Sequence, residues 1–166
     1  MNKKRTENSL YLIVIALILL VVCIFYTFNG KSARAKVILH ELNGQDMPFS
    51  SLVGKWVFIN YWASWCKPCL DEITELNDFY RLNKDKNVAL FAVNYEHLTL
   101  SKQKQLITQL NINYPNLKKD PAKELNIEEV NSVPVTIVFN PQGLFVKTLY
   151  GRQTASSLNK VMVNPN

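Results

Sequence analysis

The sequence predicts an α/β sandwich around a mixed central sheet, preceded by one N-terminal transmembrane helix. Three observations carry that prediction. Apolar runs of strand character alternate with runs of helical period, and two further strand runs then follow each other across a turn. Residues 9–28 contain no charged side chain. A Cys-x-x-Cys pair, Cys66 and Cys69, stands where an apolar strand run meets a helical one.

The N-terminal part differs from the rest of the 166 residues. At 1.5 Å per residue, residues 9–28 reach about 30 Å, the thickness of a bilayer's hydrocarbon core. Lys3, Lys4 and Arg5 precede the run, which by the positive-inside tendency keeps the N-terminus cytoplasmic and sends the C-terminal part across the membrane. Residues 1–8 read as a cytoplasmic basic stub, 9–28 as the anchor, 29–36 as a polar linker and 37–166 as one folded domain. A cleaved signal peptide is the alternative, with Ala33-Arg34-Ala35 as the cutting site. The apolar run is longer than the ~7–15 residues of a signal core, which favours an uncleaved single-pass anchor. Either way the domain is exported. Cys23 reads as a small apolar residue of the membrane helix. The net charge is +6, but Lys3, Lys4, Arg5, Lys31 and Arg34 against Glu7 supply +4 of it. The domain is nearly balanced and carries no groove-reading motif, so nucleic acid is not an expected partner.

Within the domain, Val37-Ile38-Leu39 followed by Asn43-Gly44 predicts a strand entering a hairpin turn. Residues 49–55 predict a short turn. Residues 56–61 are apolar apart from Asn60, as in a strand covered on both faces. A helix opens at Cys66 or Cys69 and runs to about residue 82. Leu70, Ile73, Leu76 and Tyr80 are spaced as its buried face, and Asp71, Glu72 and Glu75 suit its positive end. Residues 88–93 predict a second strand, 100–110 a second helix and 113–117 a short extended piece. Asp120-Pro121 starts a further short helix with proline at its first position. Residues 135–139 and 144–150 are antiparallel strands about a turn at 140–143, and 154–163 is a final helix.

A disulfide between residues so close in sequence closes too small a loop to restrain the unfolded chain much. The pair therefore points to thiol chemistry. Thiolates, not thiols, attack disulfides. Cys66 lies at a helix start, where unpaired N–H groups favour an anion. Lys67 adds a positive charge, Pro68 stiffens the backbone at a position with no N–H to lose, and Trp65 shields one side of the sulfurs. Together these lower the Cys66 thiol below the free value of about 8.5. Cys66 is then the exposed attacking thiol, and Cys69, deeper in the helix, resolves the mixed disulfide. Glu72 lies one turn beyond Cys69. It is either a solvated helix carboxylate or the acceptor of the proton that Cys69 loses. Val133-Pro134, before a strand, is either an ordinary trans proline or a cis turn that presents the Val133 backbone to an extended substrate.

Trp65-Cys66-Lys67-Pro68-Cys69 after an apolar strand, with Pro134 before a strand–turn–strand, resembles the thioredoxin superfamily. The anchor and the run from Leu52 to Cys66 resemble its TlpA-like branch, and the resemblance spans roughly residues 37–163. It implies a thioredoxin-like three-layer sandwich and a membrane-anchored thiol–disulfide oxidoreductase, some members of the branch reducing apocytochrome c before haem attachment. It further implies Cys66 as nucleophile, Cys69 as resolving thiol, Pro134 as cis-proline and Glu72 as the branch's acid. Asn60 stands where ordinary thioredoxins carry a buried Asp, which moves the proton relay to Glu72. Ser132 replaces a common glycine and Val135 a common threonine, both on the substrate-binding edge with Trp65, Val133 and Pro134. The implied partners are disulfide-containing extracytoplasmic proteins and a membrane thiol electron donor, with the chain itself a monomer and no cofactor.

Two other functions compete. A thiol-protective or chaperone-like module would use the same surface with weak redox activity. A metal carrier would need more than the Cys66–Cys69 pair, which is half of a closed zinc site of four ligands, and no second cysteine pair exists; of the only histidines, His40 and His97, His97 reads as a surface or hydrogen-bonded side chain.

Overall fold

The computed structural model describes residues 12–24 and 36–165. The chain divides into two units, Met1–Ala33 and Arg34–Asn166. In the first, residues 12–24 form helix α1, whose side chains are exposed. Its 13 residues reach about 20 Å. Among the described residues no helix is long and apolar enough to cross a membrane. Residues 9–11 and 25–28 of the expected span, the stub and the cleavage-site residues 33–35 lie outside the described residues.

The second unit is built on a five-stranded sheet of order β5-β4-β3-β6-β7. The central strand β3, Trp56–Trp62, pairs in parallel with β4, Val88–Asn94. On its other edge it pairs antiparallel with β6, Val135–Phe139. The short β5, Asn116–Leu117, continues the parallel half, and β7, Phe145–Tyr150, the antiparallel half. The sheet is mixed because β3→β4 and β4→β5 are crossovers through helices, whereas β6→β7 is a tight hairpin. A hairpin of β1, Ile38–His40, and β2, Asp46–Pro48, turns at Gly44, whose φ of 99° a side chain would oppose.

Helix α2, Lys67–Asn83, α3, Leu100–Gln109, and α4, Ala155–Val163, pack on one face. The buried groups there are Phe58, Trp62, Leu90, Ala92 and Val138 from the sheet, with Ile73, Leu76, Phe79, Leu158 and Val161 from the helices. Helices α2 and α3 share this face because successive right-handed crossovers in one direction keep to one side, and α4, after β7, packs beside α2. The opposite face, with Val57, Ile59, Tyr61, Phe91 and Ile137, is covered by Leu39, Phe49, Leu52 and Leu125. The third layer is thus the hairpin, a 3-10 turn at Phe49–Leu52 and an irregular segment, with no long helix.

Three expectations need correction. The buried side of α2 is Cys69, Glu72, Ile73, Leu76 and Phe79; Leu70 and Tyr80 are only partly buried. Cys66 acts as N-cap, and that start rolls the line 69–72–76–79 onto the sheet. The first turn of α2 holds no acidic residue. Asp71 instead pairs with Lys67, Glu75 accepts the Ala155 N–H at 3.1 Å at the start of α4, and Glu72 is buried. Asp120-Pro121 starts no helix. Asp120 Oδ1 accepts the Ala122 N–H at 2.9 Å, and Leu125 N–H reaches Pro121 O at 2.9 Å. That single turn stops at Asn126, which sits at φ 54°.

Candidate active site

β3 delivers the chain into a tight loop at the carboxyl end of the parallel strands, where open α/β sheets hold their sites. Cys66 N–H closes this loop on Ala63 O at 3.1 Å. Helix α2 begins at once, with Cys66 extended at the N-cap and its Sγ accepting the Cys69 N–H at 3.3 Å. Pro68 falls in the first turn, where its missing N–H costs nothing. The Cys66 and Cys69 sulfurs form a disulfide, with Cα atoms 5.3 Å apart.

Burial of the pair departs from expectation in degree. Cys66 is 4% exposed and Cys69 0%, so only a sliver of Cys66 is reachable and Cys69 is closed off. The exposed group is Trp65, at 66%, standing beside the disulfide. Lys67 and Pro68 are also exposed, and the Lys67 ammonium is engaged by Asp71.

Glu72 has no exposed surface. Its Oε1 accepts from Asn60 Nδ2 at 2.8 Å and its Oε2 from the Gln153 N–H at 2.7 Å. Burial pushes its carboxyl above the ordinary value; the Gln153 and Asn60 donors and the Arg152 charge pull it partly back. Asn60 also donates to Thr136 Oγ1 at 3.2 Å, and Tyr114 OH approaches Asn60 Oδ1 at 3.5 Å. Burial raises the Tyr114 hydroxyl strongly, with a further push from Glu72. A polar seam therefore joins α2, β3 and β6 inside an otherwise apolar face.

Val133–Pro134 is a cis peptide bond. The β3–β6 register sets Tyr61 opposite Val135, which brings Pro134 to the sheet end that carries the Cys66 loop. Val133 is half-buried and packs against both core clusters, one of which includes Cys66 and Cys69. Ser132 is exposed and Val135 buried. His97 is exposed in the loop after β4, and His40 pairs with Asp46 at 2.8 Å at the hairpin. Among the described residues no three His, Cys, Asp or Glu side chains gather as a metal site.

Four participants were not anticipated from sequence: Thr136, Gln153, Tyr114 and Glu96. Thr136 had a signal, being the one polar side chain in the β6 run as Asn60 is in β3. Gln153 contributes a backbone N–H, which no side-chain pattern announces. Glu96 follows β4 by two residues and grips Ser64, accepting its N–H at 2.7 Å and its hydroxyl at 3.0 Å.

A thioredoxin-like mixed sheet with a disulfide at the N-terminus of a buried-face helix defines a thiol–disulfide oxidoreductase. Residues 30–147 match the AhpC/TSA family. The chain belongs to that family. The thiol-disulfide oxidoreductase ResA of Bacillus subtilis (strain 168) is 28% identical over 173 aligned positions, covering 98% of this chain and 94% of that protein. ResA of Bacillus anthracis is 29% identical over 129 positions, covering 78% and 73%. The crystal structure of StoA from Bacillus subtilis shares the fold with a TM-score of 0.63 at 22% identity, over 75% of this chain and 93% of that one.

Proposed function

We propose that this oxidoreductase is tethered to the bacterial cytoplasmic membrane by residues 9–28 and reduces disulfides of extracytoplasmic proteins such as apocytochrome c. The observation that carries the redox part is the Cys66–Cys69 disulfide at the start of α2, with a fully buried carboxyl, Glu72, one turn further along. The tether rests on the uncharged run and its basic flank. The substrate rests on the resemblance to the TlpA-like branch.

In the reduced protein the Cys66 thiolate attacks one sulfur of a substrate disulfide. A mixed disulfide forms, and the other substrate sulfur leaves as a thiolate that takes a proton from water. Cys69 passes its proton to Glu72 and attacks Cys66 Sγ. The mixed disulfide breaks, the second substrate sulfur leaves as a thiolate that takes a proton from water, Glu72 gives its proton back to solvent, and the Cys66–Cys69 disulfide remains. Two electrons have moved to the substrate, and a membrane thiol donor returns them. Trp65 and Val133, with Pro134 fixing the adjoining chain, form the surface on which the substrate lies. Lys67 and Pro68 tune the potential, Lys67 through charge and Pro68 through the backbone of the first turn.

Cys66→Ser abolishes disulfide reduction in an insulin-type assay, whereas Cys69→Ser accumulates mixed disulfides whose partners can be identified by mass spectrometry. An active Cys66→Ser protein overturns the assignment. Glu72→Gln slows the resolving step and alters its pH profile; an unchanged rate and profile removes Glu72 from the proton transfer.

A further inference from the structure

The Cys66 loop is held from outside its own element. At the end of β3 Ser64 offers a backbone N–H and a hydroxyl, and Glu96, beyond the end of β4, accepts both, one on each carboxylate oxygen. Glu96 is itself fixed. Its N–H donates to Asn94 Oδ1 at 2.9 Å, and Asn94 Nδ2 returns a bond to Glu96 Oε2 at 3.3 Å. Between the two, Tyr95 N–H reaches Trp62 O at 2.8 Å. The two strand-end loops are thus clasped together two residues before the attacking sulfur.

We propose that Glu96 is a positioning residue for the redox centre, holding the Ser64 loop so that Cys66 Sγ stays at the N-cap of α2. This rests on the reading of Cys66 as the attacking thiol. At the N-cap a thiolate meets the first-turn N–H groups and the positive helix end, and both fade within a turn. A loop free to shift moves the sulfur out of that position, and the thiolate loses its support. Coulomb repulsion from the Glu96 carboxylate acts with the opposite sign, because a nearby negative charge disfavours a thiolate. Other charged groups on and beside α2 are the Lys67–Asp71 pair and buried Glu72, the latter facing the charge of Arg152 beyond β7. A change at Glu96 alters none of these charges.

The test is the pH dependence of thiol alkylation in the reduced full-length chain. A Cys23→Ser background removes the exposed cysteine of α1. Reaction with iodoacetamide, mapped by peptide mass, gives the inflection of Cys66 separately from that of Cys69. Glu96→Ala is expected to raise the Cys66 inflection by about one pH unit, about tenfold less thiolate at a fixed pH below it. Glu96→Gln keeps one acceptor oxygen and should shift it less. Ser64→Ala, which loses only the hydroxyl, should shift it upward slightly and add nothing once Glu96 is already alanine. An unmoved or lowered inflection in Glu96→Ala overturns the proposal, as does a Ser64→Ala effect that is fully additive. Should Glu96→Ala not fold, Glu96→Gln and Ser64→Ala decide alone: a lowered or unmoved inflection in both overturns it. If Cys69, not Cys66, is the faster thiol in the unmutated site, the assignment of the attacking sulfur fails, and the positioning proposal falls with it.

Discussion

Glu72 shows what burial does to a single side chain. Its carboxyl is held above the ordinary 4.5, chiefly because no water reaches it. Once the pH passes about 4.5, the unfolded chain has released a proton that the folded protein still binds. The contribution of this group to stability is therefore complete below that pH and is lost as the pH rises through the folded-state value. In the oxidised protein, where neither active-site sulfur titrates, urea denaturation from about pH 4 to about pH 8 should show this. The stability difference between the unmutated chain and Glu72→Gln should move steadily against the unmutated chain as the pH rises. A pH-independent difference would contradict it. The spacing from Cys69 puts Glu72 one turn further along α2, but spacing alone does not distinguish a solvated carboxylate from a buried one. That depended on Asn60 and the Gln153 N–H, which lie 12 and 81 residues away.

Among the elements, α2 does most to define the site. Its length and its start at the cysteines follow from helical period and from Pro68. Its rotation did not, because a line through Leu70, Ile73 and Tyr80 fits the helical period as well as one through Cys69, Glu72 and Phe79. Phe79 is fully buried and meets Phe58 edge-on with ring centroids 5.4 Å apart. Phe79→Ala should cost about 3–5 kcal/mol by urea denaturation, whereas Tyr80→Ala should cost clearly less because that ring is only partly buried. Helix α4 starts from a capping box in which Thr154 accepts the Ser157 N–H and Ser157 accepts the Thr154 N–H. Thr154→Ala should cost about 1 kcal/mol. The Asp120-Pro121 start signal misled because the Asp120 carboxylate also takes the Tyr61 hydroxyl at 2.6 Å, and the segment serves to cover the sheet in a single turn.

At the scale of the molecule, the parallel crossovers and the final hairpin were legible in the order of helical and strand runs, but the insertion of β6 beside β3 was not. Nor was the cover of the second sheet face, because Leu39, Phe49, Leu52 and Leu125 come from stretches too short to show a period. The proposed tether is tested on the chain as a whole. Full-length protein should sediment with bacterial membranes and resist salt extraction, and a chain starting at Lys36 with an exchanged cleavable signal should be released. Release of both forms alike would remove the anchor from the proposal.

The pairing of β3 with β6 has a consequence in time. Asn60 and Thr136, neighbours in the polar seam, are 76 residues apart in sequence. Contacts at such a separation form late, since a long loop must close before they repay its entropy. A chain made from its N-terminus therefore presents Cys66 and Cys69 well before the strand bearing Pro134 and Thr136 exists to complete their surroundings. For that interval the thiols are those of an unfinished chain, open to any oxidant they meet. Their surroundings are complete only when β6 pairs with β3.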